Sequence, residues 1–287
     1  TALRDSCNDY FYNIGYELGM NGQEYDSNKG TDTLAKYAKE FGLGEKSGVE
    51  IPESEPQISD EYSVQSAIGQ GTNNFTVSQL NRYVAAVANR GTVYKLTLLD
   101  KTTDVNGKVI KEYEPEVTNT IDDISDNTWN LLHQGMIAMV QDMSQFNGME
   151  ISMAGKTGTV QAEFNKDLTS DQWVIGYTPD VVMTTWIGFD KTDESHYLTG
   201  ASSGTASTIF SYIAADVLPN TPGTEFTVEN AYAADGQTLD YTANPNDSRN
   251  SNNKSWTDKA SDVVNDVKDQ ASSLWDKLSD SFSGLFR

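Results

Sequence analysis

The feature that most restricts the fold of this 287-residue chain is a change in the period of its apolar residues. At residues 9–18 and 78–91 they recur every three or four positions, as in helices, whereas residues 173–177 and 181–189 read as strands. The segment 178–180 (Thr-Pro-Asp) joins these strands as a tight turn, so we expect them to pair antiparallel. The sequence therefore predicts a mixed α/β (α+β) fold, in which an antiparallel sheet packs against helices.

The elements themselves are predicted from apolar spacing, from capping residues and from the glycines that end helices. The five predicted helices cover residues 9–18, 31–41, 78–91, 125–143 and 206–217. Asn106-Gly107 separates the apolar runs 93–103 and 108–113, and this dipeptide is the strongest short-range signal for a β-hairpin. A further strand is expected over residues 150–154. We expect the last helix to cover the sheet.

Composition divides the chain into four parts. Residues 1–224 are predicted to form one domain, with 225–241 as an extension at its edge. Residues 242–255 contain no large apolar side chain and are predicted to be a flexible linker. Residues 256–287 carry apolar residues at three- and four-residue intervals, which predicts an amphipathic tail helix. This helix packs back on the domain or stays solvated, or else it binds a partner or a membrane surface.

The charge balance excludes one class of partner. The chain has 20 Lys and Arg against 42 Asp and Glu, a formal net charge of −22. Because nucleic acids require local cationic density, we expect no nucleic-acid partner. The acidic residues of the tail also outnumber its basic ones, which disfavours attraction of that segment to anionic lipid. No apolar run is long enough to span a bilayer.

The soft metal ligands are few. Cys7, His133 and His196 lie far apart in the sequence, so neither a metal site nor a cofactor is expected. As the only cysteine, Cys7 cannot form an internal disulfide, and we interpret it as a small buried side chain. His133 falls near the apolar stripe of a predicted helix and is interpreted as a packing residue. His196 is predicted to lie in a loop.

Two short motifs are the residues most informative about chemistry. They are Ser6-Cys7-Asn8 and, far downstream, Lys156-Thr157-Gly158-Thr159. Each alone is a weak signal, because such short strings arise by chance. In this order, and with residues 66–71 (Ser-Ala-Ile-Gly-Gln-Gly) between them, they resemble the second and third motifs of penicillin-binding transpeptidases and serine β-lactamases. The resemblance covers about residues 1–217 and implies part of the fold of that superfamily.

The resemblance implies serine acyl transfer that cross-links the stem peptides of peptidoglycan, and reaction with β-lactam antibiotics. A departing amine needs a proton, so the family places proton carriers within hydrogen-bond reach. Ser6 would be a hydroxyl relay to the leaving group. Asn8 would hold the substrate backbone and orient the catalytic lysine. Lys156 would supply positive charge near Ser6 and attract the substrate carboxylate.

The resemblance implies that the residues after Lys156 in the downstream motif bind substrate. The hydroxyls of Thr157 and Thr159 would bind the terminal carboxylate, and the backbone N–H of Thr159 would be a donor of the oxyanion hole. Gly158 would allow the substrate to approach the strand without a side-chain clash. Together with Ser6 and Asn8, these residues would form one wall of a cleft.

In this family the nucleophile is the serine of an S-x-x-K motif (x is any residue), which lies upstream of the S-x-N motif that Ser6-Cys7-Asn8 matches. The only S-x-x-K in this sequence is at residues 251–254. Because that motif lies in the predicted linker, we interpret it as a coincidence. We therefore expect the C-terminal part of a transpeptidase domain that is inactive alone. Its nucleophile segment, membrane anchor and first strands would precede residue 1, leaving one sheet edge exposed or paired with a second fragment.

The resemblance also bears on subclass and location. The helix and hairpin after residue 71 are most similar to class B penicillin-binding proteins, whereas residues 173–188 resemble class A enzymes. Both classes act at the extracytoplasmic face of the cell membrane, where other cell-wall synthesis proteins could bind the tail helix. The alternative is a non-catalytic sensor of β-lactam type, or a surface binding module.

Overall fold

The computed structural model describes residues 2–149, 151–199 and 204–228. The predicted linker at 242–255 and the predicted tail helix at 256–287 lie outside these residues. The α-helices are α1 (Asn8–Gly19), α2 (Ser27–Glu40), α3 (Ser63–Ser66), α4 (Val77–Ala88), α5 (Asp126–Gln141) and α6 (Thr205–Val217). Short 3₁₀ helices cover Ser144–Phe146 and Leu218–Asn220. Within the described part of the chain, no helix has the length and apolar character that a bilayer span requires.

The strands of the described residues form one central sheet and three two-stranded ribbons. The ribbon strands are β1 (Met20–Asn21), β2 (Glu24–Tyr25), β3 (Thr92–Lys95), β4 (Lys101–Thr103), β5 (Val109–Glu112) and β6 (Glu116–Thr120). The central sheet has the order β7 (Ala154–Ala162), β8 (Asn165–Tyr177) and β9 (Val182–Ile187), all antiparallel. The predicted antiparallel sheet, with its turn at 178–180, is therefore confirmed.

The two faces of this sheet pack in different core clusters because successive side chains on a strand point to opposite faces. Val174 packs in one core cluster with Phe210 of α6. Tyr177 packs in the other cluster with Val84 of α4 and Met136 of α5. The sheet is thus buried on both sides, and the last helix covers it as predicted.

Several predicted boundaries are wrong in ways that have physical causes. Helix α2 begins at Ser27 rather than at residue 31, because the side chain of Asp26 accepts a hydrogen bond of 2.9 Å from the Asn28 N–H. The predicted strand at 93–103 is two strands: β3 pairs with β6, while β4 pairs with β5. The Asn106-Gly107 turn does connect a hairpin, the one formed by β4 and β5.

The strands of the central sheet also differ from prediction. Strand β7 begins at Ala154 rather than at residue 150, and β8 begins at residue 165 rather than 173. The early part of β8 was missed because it buries polar side chains: Ser170 and Gln172 face inward, so no apolar alternation marks it. Helix α4 begins with a capping box, in which Thr76 and Gln79 exchange side-chain and backbone hydrogen bonds.

Candidate functional site

Ser6 lies in a turn immediately before α1. The Ser6 and Cys7 N–H groups donate to the carbonyls of Leu3 and Ala2, at 3.4 and 3.0 Å, and close this turn. The backbone of Ser6 has φ = 48°, in the left-handed region that non-glycine residues rarely adopt. Such backbone strain tends to occur at functional sites, where the surrounding structure enforces it. The turn leaves the Ser6 side chain exposed.

The next two residues begin α1. Cys7 is the residue before the helix and is half-buried, not buried as predicted, because the entry to the helix lies at the surface. Asn8 is the first helical residue, and its amide is exposed. The side chains of Ser6 and Asn8 both line the same cleft.

The downstream motif, residues 156–159, lies in the first half of β7. Lys156 donates a hydrogen bond from Nζ to the Oγ of Ser6, and a second one of 3.1 Å to the carbonyl of Thr157. Burial lowers the pKa of the Lys156 ammonium below its ordinary value, because a desolvated charge is less stable. The structure therefore brings together two motifs that lie 150 residues apart in the sequence.

Two glycines of β7 differ in what they permit. A Cβ at Gly155 would lie 2.7 Å from the carbonyl oxygen of Ile175, so the strand pairing itself excludes a side chain there. A Cβ at Gly158 would lie no closer than 3.4 Å to Trp173, which is an ordinary contact. Packing against β8 thus explains Gly155 and leaves Gly158 without a packing requirement, in accord with a role toward the cleft.

The cleft between the motifs has a volume of about 1650 Å³. All six predicted site residues line it: Ser6, Asn8, Lys156, Thr157, Gly158 and Thr159. Sequence analysis missed other lining residues, among them Tyr12 of α1 and Tyr62 and Gln65 around α3. Residues 66–71 were the only signal for the α3 side of this cleft. Tyr62 had none, although its φ of 56° is a second strained position at the cleft.

The two histidines lie outside the cleft lining. His133 is buried in α5, as predicted for a packing residue, and its Nδ1 shares a hydrogen bond of 2.7 Å with the Tyr177 hydroxyl. Desolvation, and to a lesser extent the charge of Arg90, lowers the pKa of His133 to about 4. His196 is exposed and pairs with Asp193 at 2.8 Å. The described residues hold no group of three or more His, Cys, Asp or Glu side chains suited to a metal.

Comparison with known sequences identifies relatives over most of the chain. The family model described as the penicillin binding protein transpeptidase domain matches residues 1–215. The chain is 36% identical to penicillin-binding protein 2a of Streptococcus pneumoniae over 245 residues, which is 85% of this chain and 32% of that protein. It is 32% identical to penicillin-binding protein 2B of the same species over 187 residues, or 56% of this chain and 27% of that one. The chain thus spans about a third of the length of these relatives.

Solved structures give the same fold. Penicillin-binding protein 2B of Streptococcus pneumoniae matches with a TM-score of 0.64 at 23% identity, over 78% of this chain and 39% of that one. Penicillin-binding protein A of M. tuberculosis, in an imipenem acyl-enzyme complex, matches with a TM-score of 0.57 at 18% identity, over 76% and 46% of the two chains. The predicted fold class is therefore confirmed.

Proposed function

The chain belongs to the penicillin-binding protein transpeptidase family, and we propose that it forms the proton-relay and carboxylate-binding part of a peptidoglycan D,D-transpeptidase. The observation that carries this proposal is the hydrogen bond between Lys156 Nζ and Ser6 Oγ at the cleft. The subclass, A or B, stays a prediction, as does the domain boundary near residue 224.

The proposed reaction is acyl transfer from one stem peptide to an amine of another. A serine attacks the carbonyl of the penultimate residue and gives up its hydroxyl proton, and the C–N bond to the terminal D-Ala breaks as the departing amine takes a proton. Ser6 passes that proton to the amine, and Lys156 shares it through their hydrogen bond. The amine of the second stem peptide then attacks the acyl-enzyme, loses a proton and restores the serine hydroxyl. The lowered pKa of Lys156 suits this task, because a lysine that holds its proton less tightly exchanges it more readily near neutral pH.

Substrate binding is assigned to the same strand. The positive charge of Lys156 attracts the terminal carboxylate of a stem peptide or of a β-lactam, and the hydroxyls of Thr157 and Thr159 bind it. Asn8 holds the substrate backbone, and the N–H of Thr159 donates to the oxyanion. The acyl-enzyme of imipenem described for the M. tuberculosis relative supports β-lactams as ligands.

We propose further that the nucleophile enters the cleft on a segment other than residues 2–228. The sheet supports this: among the described residues, β9 has β8 as its only partner strand, so an edge is open for another strand. The proposed enzyme acts at the extracytoplasmic face of the cell membrane, and other cell-wall synthesis proteins bind through the predicted tail at 256–287.

Labelling with a fluorescent penicillin tests the proposal. The 287-residue chain alone stays unlabelled, whereas a protein that adds the S-x-x-K segment of the transpeptidase domain is labelled covalently. In that longer protein, Ser6→Ala and Lys156→Gln reduce the acylation rate by about 10²- to 10⁴-fold, the usual contribution of proton transfer. The matched controls are Ser54→Ala and Lys36→Gln, at exposed positions outside the cleft lining.

Three results would overturn the proposal. Stoichiometric labelling of the 287-residue chain alone would mean that it holds its own nucleophile. Acylation of the longer Lys156→Gln protein at the rate of its Lys36→Gln control would remove Lys156 from the chemistry. Absence of labelling in every form would favour the alternative, a non-catalytic sensor or surface binding module.

A further inference from the structure

Helix α5 contacts both halves of the candidate site. On one side, Leu3 lies against Gly135, where a Cβ would be 3.2 Å from the Leu3 side chain. Arg4 Nε also forms an ion pair of 3.3 Å with Asp142, the residue that follows α5. Leu3 and Arg4 belong to the turn that presents Ser6, so α5 holds the hydroxyl side of the site.

The same helix holds the strand that carries Lys156. Val140 lies 3.2 Å from where a Cβ of Gly155 would be, which brings α5 close to the residue before Lys156. His133 binds Tyr177 through the 2.7 Å hydrogen bond, and both side chains are buried. Tyr177 is the last residue of β8 and pairs with Ala154, two residues before Lys156 in β7.

We infer that His133 and Tyr177 are positioning residues for Lys156. Their hydrogen bond fixes the position of the end of β8 along the axis of α5. Because Tyr177 pairs with Ala154, the bond also fixes the start of β7. Because the Ser6 turn rests on the same helix, this bond sets where Lys156 Nζ lies relative to Ser6 Oγ. The inference rests on the role proposed for Lys156, which neither His133 nor Tyr177 touches.

The hydrogen bond joins α5 to the end of β8 through two buried polar groups. The Tyr177 hydroxyl has His133 on one side and Met136 Sδ, 3.5 Å away, on the other. A thioether is a weak acceptor, so it cannot replace the histidine. Loss of either polar partner leaves a buried group unsatisfied, and the elements move apart to admit water.

The test measures the ionisation of Lys156 directly, in the 287-residue chain labelled with ¹³C-lysine. The Lys156 signal is assigned by its loss in Lys156→Arg, and its Cε shift is followed against pH. Tyr177→Phe and His133→Leu move the titration midpoint upward by about half a pH unit or more, because Lys156 becomes better hydrated. His133→Asn keeps a hydrogen-bonding atom near the position of Nδ1 and retains the midpoint of the unmodified chain.

The control is Val93→Ala, which shortens a fully buried side chain of β3 and so destabilises the domain away from α5 and β7. Circular dichroism verifies that each variant is folded at the titration temperature. The inference fails if Val93→Ala shifts the midpoint as far as His133→Leu, if neither shifts it, or if His133→Asn shifts it like His133→Leu. Because no substrate is used, the titration stands whatever the penicillin labelling shows, so the two proposals fail separately.

Discussion

Acidification from pH 7 to pH 4 should destabilise this domain through His133. Its side chain is 2% exposed and its pKa lies at about 4, against 6.5 for a free histidine. The titratable and charged groups near it are Tyr177 of β8, which in turn interacts with Tyr83 of α4, and Arg90, which is paired with Asp126 at 3.7 Å. The positive charge of Arg90 disfavours a second positive charge on His133. The neutral hydroxyls of the tyrosines cannot neutralise that charge.

The sign follows from proton uptake. Between pH 6.5 and about 4 the unfolded chain protonates this histidine while the folded chain does not, so the free energy of unfolding falls as the pH falls. Below about pH 4 both states carry the proton and this contribution levels off. The difference between 6.5 and about 4 corresponds to a loss of at most about 3 kcal/mol.

Urea unfolding, followed by tryptophan fluorescence at pH 7.0, 5.5 and 4.5, measures this loss. Carboxylates with lowered pKa values, such as Glu53 and Asp180, also lose stabilisation in acid, so the comparison is between proteins. His133→Asn is less stable than the parent at pH 7, yet it should lose about 2 kcal/mol less on going to pH 4.5. The control His196→Asn, at an exposed position, follows the parent. Parallel pH profiles for the parent and His133→Asn would refute the reasoning.

Two further predictions concern stability at neutral pH. Gly155→Ala should lower the free energy of unfolding in urea by about 1–3 kcal/mol, because its Cβ would lie 2.7 Å from a backbone oxygen. Gly158→Ala should change it by less than about 0.5 kcal/mol. Equal urea midpoints for the two variants would contradict this. Thr76→Ala should cost about 1 kcal/mol by removing the cap of α4, whereas Thr33→Ala, within α2, removes no capping group and should not. A capping contribution is excluded if the two threonine variants unfold alike.

The fold could be predicted where local chemistry agrees with tertiary packing. Thr76 and Gln79 indicate the start of α4. The Thr-Pro-Asp turn at 178–180 predicts the pairing of β8 with β9. The first half of β8 could not be predicted, because Gln172 is buried and uses its side chain to accept a hydrogen bond from the start of α6. Helix α3 has four residues, too few to show a period.

The site could be predicted only in part, and by resemblance rather than by periodicity. Ser6 and Lys156 were singled out by the order of two motifs, and the structure brings their side chains into contact. No sequence pattern predicts that His133 pairs with Tyr177, because a buried hydrogen bond between residues far apart in the sequence does not change the period of the apolar residues. For the same reason Tyr62, at the end of a loop, could not be assigned to the cleft.

The hairpin of β4 and β5 has a practical consequence. Every residue of both strands is exposed, and no atom outside Gly107 and its two chain neighbours lies within 4 Å of where a Cβ of Gly107 would be. Loop tips of this kind accept inserted sequence with little effect on the rest of a domain. An affinity tag or a fluorophore can therefore be placed between Asn106 and Gly107, which leaves both ends of the chain free for fusion to a longer polypeptide.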